Sequence, residues 1–226
     1  MNQIEIKDNH TEILICNKNQ VGRPKKESYC KISKKILGVI IGTLLGDSYI
    51  RKIRKNYGLG VTHSTKQEKY FNYKVKKLSK LQGKTYYRDR YDKRTDKTYH
   101  SLIYHSKQHE IFNNIRDLMY ENNCKIFNKY VEDNLTIEGI AVWYCDDGNL
   151  YRNKDINHLS IATNNFDIKS LQNILTMFKD KYNIFFKIRK DGLIRLTSKR
   201  EIRKFINLIK EFIPKSMEYK ICQDSF

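Results

Sequence analysis

The chain has 226 residues, 39% of them hydrophobic, which is enough for a packed interior and too many for a globally disordered polymer. Lysine and arginine total 44 against 25 acidic residues, a formal charge of +19, so a polyanionic partner is expected. The basic residues are interleaved with 16 Tyr and 10 Phe along the chain, which favours nucleic acid over an acidic membrane surface. The longest apolar run, Ile36 to Leu45, is about half of a bilayer-spanning helix, and the polar stretch Met1 to His10 reads as no signal segment. A soluble protein is expected. Cys16, Cys30, Cys124, Cys145 and Cys222 form no CxxC pair, which argues against a zinc site or disulfide framework and suits a reducing compartment, whether a bacterial or phage-infected cytoplasm or a mitochondrial matrix.

Residues 1–30 are polar and lack sustained periodicity, so they read as a basic N-terminal arm. Within it, Gly22-Arg23-Pro24 with basic flanks resembles an AT-hook, a segment able to lie in a narrow A·T minor groove. A solvated basic tail is the alternative. Beyond the arm, apolar periodicity of 3.6 predicts helices over 34–47, 66–81 and 107–121, and again over 136–147, 168–181 and 199–212. Thr65 with Glu68 and Ser198 with Glu201 have capping-box spacing, while Ser106 and Asp167 are candidate N-caps. Strand composition marks 57–64, 85–91, 98–105, 158–163, 184–189 and 193–197, with a hairpin turn at Asp191-Gly192. The order is a duplicated αββαββα unit in an α+β fold, with halves at 31–130 and 131–226. Neither half has much spare core, so the two should pack on one another.

The first helix carries Gly38, Gly42 and Gly46 at intervals of four, on one face, where small residues let another helix approach closely. The second offers Ala141 and Cys145 at the same interval. Both helices stop at acid, Gly46-Asp47-Ser48 and Asp146-Asp147-Gly148. Parallel packing about a pseudo-dyad would bring Asp47 and Asp147 side by side. Each carboxylate would then face the negative end of a helix dipole, at a cost of roughly 0.3–1 kcal/mol, and the two would repel. Bound divalent cations remove that objection, because Mg²⁺ prefers carboxylate and water oxygens. One such acid alone would be an ordinary helix-terminal residue; two at matching ends of a repeat point to a metal centre.

Both helices resemble the LAGLIDADG motif, with Ile40 to Ser48 and Ile140 to Gly148 in its nine positions. The likeness is to the homing endonuclease family, closest to the single-chain, intron-encoded branch of yeast mitochondria. It extends through Gly46 to Arg51, Trp143 to Gly148, and Phe212-Ile213-Pro214 with Tyr219-Lys220-Ile221. Val142 and Ser48 stand where the motif has glycine. The resemblance implies paired LAGLIDADG helices at the centre of two curved antiparallel sheets that form a DNA-binding saddle. It also implies metal at Asp47 and Asp147, with the preceding residues Gly46 and Asp146 completing the ligand set. The cofactor would be Mg, with Mn as a substitute. Lys125 and Lys220 match the lysines that the family places near each metal.

Residues on alternate strand positions share a sheet face, which groups Arg88 and Arg90 with Tyr86, Lys187 with Arg189, and Arg195 with Thr197. Arg can read guanine edges, while Lys mainly meets phosphates. Arg51, Lys52, Arg54 and Lys55, and Arg152 with Lys154, read as basic loops beside the scissile phosphates. The expectation is a monomeric, Mg-dependent double-strand endonuclease that leaves short 3′ overhangs. An intron RNA maturase and a DNA-binding regulator without catalysis are the alternatives on the same fold, and retention of both acids argues against each.

Overall fold

A computed structural model describes residues 12–13, 32–53, 55–153 and 157–222. The AT-hook-like segment, Arg54 and Lys154 lie outside these residues. The arm contributes β1 (Glu12–Ile13), paired with β2 (Ile32–Ser33). The first unit then runs α1 (Lys34–Leu45), β3 (Ser48–Ile53), β4 (Asn56–Ser64), α2 (Glu68–Lys77), β5 (Lys84–Asp92), β6 (Lys97–His105) and α3 (Glu110–Met119). A short hairpin, β7 (Tyr120–Glu121) and β8 (Cys124–Lys125), and α4 (Lys129–Asn134) lead into the second unit. That unit is α5 (Ile137–Asp147), β9 (Gly148–Arg152), β10 (Asn157–Ile161), α6 (Ile168–Tyr182), β11 (Lys187–Ile188), β12 (Ile194–Leu196) and α7 (Lys199–Ile209). Each unit is therefore αββαββα. The sheets have corresponding strand orders, β3-β4-β6-β5 and β9-β10-β12-β11, and every described pairing is antiparallel.

Two differences from the sequence reading follow from local chemistry. The segments after the aspartates are strands β3 and β9, not loops. Their charge masks a period-two pattern in which Ile50 and Leu150 face the core while Tyr49, Arg51 and Tyr151 face out. The third predicted helix starts at Glu110, because Ser106 is diverted: its Oγ accepts the Leu59 N–H at 2.9 Å. Asp167 caps α6 as expected, accepting from Ser170 at 2.6 Å. Ser198 makes no capping bond, and Ser64, not Thr65, accepts from the turn that leads into α2.

The central helices are largely apolar between their polar ends, because both faces are covered. α1 is buried continuously from Leu37 to Leu45, and α5 from Glu138 to Cys145. They approach until a methyl at Gly42 would overlap the Gly139 carbonyl, and one at Gly38 would overlap Thr136. The partners of the glycine face are thus Thr136 and Gly139, not Ala141 and Cys145. Thr136 also caps α5, accepting from the Gly139 N–H at 3.2 Å, so one residue starts the helix and fits the seam. Phe178, Phe186 and Phe205 pack edge-on or tilted beneath Tyr144, filling the second half around α5. No helix among the described residues is long and apolar enough to cross a membrane.

Candidate active site

Side-by-side helices that end at or just before the motif acids deliver Asp47 and Asp147 to one cavity. Both line a cavity of about 760 Å³, shared with Lys52, Arg116 and Lys125. Asp47 is exposed and Asp147 partly buried. Burial, then the charges of Asp47 and Asp146, push the Asp147 carboxyl up to about 7. Burial is the larger cause, and the shared cavity wall is what places the two motif acids near each other. Lys125, on the same cavity wall, offsets part of that negative charge.

Lys125 and Lys220 occupy equivalent places from unlike local structures. Lys125 sits on β8, after a turn whose Asn122 and Asn123 take left-handed φ values of 48° and 64°, as a two-residue hairpin needs. Its Nζ donates to the Gly46 carbonyl at 2.8 Å. Lys220 ends a 3₁₀ turn (Lys215–Lys220) behind Pro214, and donates to the carbonyls of Cys145 at 2.6 Å and Asp146 at 3.2 Å. Each ammonium therefore holds the carbonyl immediately before a motif aspartate. These carbonyls are the negative end of a helix dipole, which a cation stabilises. Burial lowers both lysine pKa values.

Asp146 departs from its expected role. Its carboxylate is fully buried and turned into the first half, where Lys74 Nζ approaches its oxygens at 2.8 and 3.1 Å and Tyr70 Oη donates at 2.8 Å. Its other acceptance is from the Asp47 N–H, at 3.2 Å. Asp47, His63 and Asp146 offer ligand atoms within 4.8 Å of one another, yet the Lys74 ammonium lies against both Asp146 and, at 3.2 Å, His63 Nε2. That volume already holds a cation. Burial and then Lys74 lower the His63 pKa, and its Nδ1 pairs with Gln67 at 3.0 Å. The Asp146 carboxylate is accordingly a structural anion, and only its backbone carbonyl lies beside Lys220.

Lys74, His63 and Tyr70 were not singled out from sequence. The available signal was Lys74 itself, a cation at a position between Phe71 and Leu78 on the apolar face of α2; it is fully buried.

Strand register sorts the basic residues. Arg51, Tyr86, Arg88 and Arg90 share one face of the first sheet with Tyr49, Tyr99 and His105. Lys187, Arg189 and Arg195 share the corresponding face of the second with Tyr151 and His158. Burial lowers the pKa of His105, followed by Arg51 and Arg88, and that of His158, followed by Arg195 and Arg189. Both faces therefore concentrate positive charge. Lys52 and Arg152 have the opposite parity, and Lys52 instead lines the cavity with the two acids; Lys55 lies in the β3–β4 turn.

A duplicated αββαββα chain with two acid-ended central helices has a family counterpart. The profile of the LAGLIDADG DNA endonuclease family matches residues 37–205. The chain belongs to that family. Similar proteins include a probable intron-encoded endonuclease of Wickerhamomyces canadensis, 25% identical over 87% of this chain and 87% of its own. An uncharacterized protein of Methanocaldococcus jannaschii is 25% identical over 84% of this chain and 74% of its own. A cytochrome b mRNA maturase of Debaryomyces hansenii is 29% identical over 49% of this chain and 42% of its own. Among solved structures, the homing endonuclease I-WcaI bound to its DNA recognition sequence superposes with a TM-score of 0.74 at 22% identity, covering 85% of this chain and 88% of that one. The two LAGLIDADG helices of this chain are α1 and α5.

Proposed function

We propose that this LAGLIDADG protein is a site-specific endonuclease that cuts both strands of duplex DNA, acting as a monomer with internal pseudo-symmetry. The observation that carries the reading is the convergence of Asp47 and Asp147, one from each half, with an ammonium against the carbonyl preceding each. The basic faces of the two sheets would run along the duplex, with Arg51, Arg88, Arg90, Lys187, Arg189 and Arg195 toward phosphates and base edges. Lys52, Lys55 and Arg152 would meet the backbone nearer the cut, and the cation-lined cavity would receive the scissile phosphates.

The donor set suits a hard divalent cation. Two repelling carboxylates, with the carbonyl oxygens of Gly46 and Asp146 beside them, offer only oxygen, as Mg²⁺ and Mn²⁺ prefer. When bound, such an ion supplies Lewis-acid stabilisation of phosphate charge and activation of a nucleophile at neutral pH. Asp47 and Asp147 would hold it, one site per strand. Lys125 and Lys220 would oppose negative charge that builds on the phosphate during in-line displacement. Their lowered pKa values reduce the cost of lending a proton. Short 3′ overhangs follow if the two cuts lie across the minor groove.

Selection of bound duplexes from a randomised library in Ca²⁺, followed by incubation with Mg²⁺ or with EDTA, tests the proposal. Linear products with Mg²⁺ alone are expected. Tight binding to intron RNA with no cut in any duplex would instead support a maturase, the reading suggested by the Debaryomyces hansenii relative.

A further inference from the structure

We propose that Asp146, clamped by Lys74, is a positioning residue for Asp47, so that this buried pair governs cleavage of one DNA strand and not the other. The proposal builds on the endonuclease reading, but its physical content concerns an asymmetry between two otherwise matched helix ends. Gly46 and Asp146 occupy the same motif position. A Cβ at Gly46 would strike the Asp146 carboxylate, so the seam admits only one side chain at this level. The helices also stop differently: α5 continues through Asp147, whereas α1 ends at Leu45. Asp147 is thus held by its own helix, while Asp47 lies past the end of α1 in a turn closed by the Ser48 N–H on the Gly46 carbonyl at 2.9 Å, a bond that leaves the Asp47 N–H itself outside the helical ladder.

The Asp146 carboxylate adds a partner for the Asp47 N–H, which it accepts at 3.2 Å. Its remaining capacity goes to Lys74, at 2.8 and 3.1 Å, and to Tyr70, at 2.8 Å. Lys74 and Tyr70 come from α2, so the anion from the second half is fastened to the first before it touches Asp47. A buried ion pair is a poor device for stability, since apolar residues of similar volume usually serve as well. Its placement makes sense as a fixed acceptor for one amide. Lys74 also neutralises a third carboxylate beside Asp47 and Asp147. No described side chain takes the corresponding position at Asp147, because the equivalent residue is Gly46.

The test compares the full chain with a variant carrying Lys74→Met and Asp146→Asn together, which strands neither charge. The strand served by Asp47 is identified first with Asp47→Asn, and each strand of the selected target is labelled separately. Exchange of the charged acceptor for a neutral amide oxygen weakens the bond to Asp47 and should slow that strand about tenfold and change the other by less than about twofold, so nicked circles accumulate. Affinity for the target in Ca²⁺ should stay unchanged. Hydrogen exchange at the Asp47 amide, read without DNA or metal, should be about tenfold faster. Equal slowing of both strands, or an unchanged Asp47 amide, overturns the proposal. If the double variant does not fold, Tyr70→Phe removes one bond to Asp146 and must give a weaker bias on the same strand; no bias overturns it. Should the parent cut no duplex at all, the endonuclease reading fails, and amide exchange still decides the positioning role.

Discussion

Replacing Asp147 with Asn should stabilise the metal-free protein above neutral pH and leave it nearly unchanged in acid. The cause is the buried position of Asp147 beside Asp47 and Asp146, which moves its carboxyl from an ordinary 3.8 to about 7. Between those values the folded chain binds the proton that the unfolded chain has released. Stability must therefore fall as pH rises from about 4 to about 7, then level off. A displacement of that size caps the penalty at about 4 kcal/mol. For a chain of this length each kcal/mol moves the melting temperature by about 2–4 °C, so the Asn variant should melt as much as about 16 °C higher at pH 8. The assay is thermal melting in EDTA from pH 4.5 to 8.5, repeated with excess Mg²⁺. Divalent ion should raise the parent's Tm at pH 8 through binding to the folded state and should narrow the gap to the variant. A gap of equal size at pH 5 and pH 8, or a variant that melts lower than the parent at pH 8, would refute the reasoning.

Other outcomes follow from the seam and the charged faces. Gly42→Ala forces a methyl against the Gly139 backbone and should cost about 3 kcal/mol or more in urea unfolding, because neither helix can shift without moving an aspartate. Lys74→Met alone leaves the Asp146 carboxylate buried without its cation and should cost about 3–5 kcal/mol, most of it recovered by adding Asp146→Asn. Affinity for a selected duplex should fall steeply with salt, log K declining with log salt at about −0.9 for each phosphate neutralised, and Arg88→Ala with Arg195→Ala should flatten the slope.

Much of this architecture was legible because a few patterns leave little freedom. Glycines at intervals of four on an apolar helix required a close partner, and the two acid-ended helices set the period of the duplication. Period-two alternation correctly assembled the sheet faces around Arg88 with Tyr86 and Arg90, and around Arg195 with Lys187 and Arg189. What the pattern left open was decided by tertiary contacts. Gly139 and Thr136 rather than Ala141 and Cys145 meet the glycine face, because helix rotation depends on both partners. Charge concealed β3 and β9, since Arg51 and Arg152 dominate segments whose apolar positions are few. Asp146 looked like a second ligand beside Asp147, and only the fold brings Lys74, seventy-two residues earlier, into contact with it.

Strand-resolved cleavage of a selected duplex by Asp47→Asn and Asp147→Asn, set beside the parent in Mg²⁺, tests the role of the paired acids most directly. Each variant should bind the duplex with the parent's affinity in Ca²⁺ and yield no double-strand break. Full double-strand cutting by either variant would contradict the assignment.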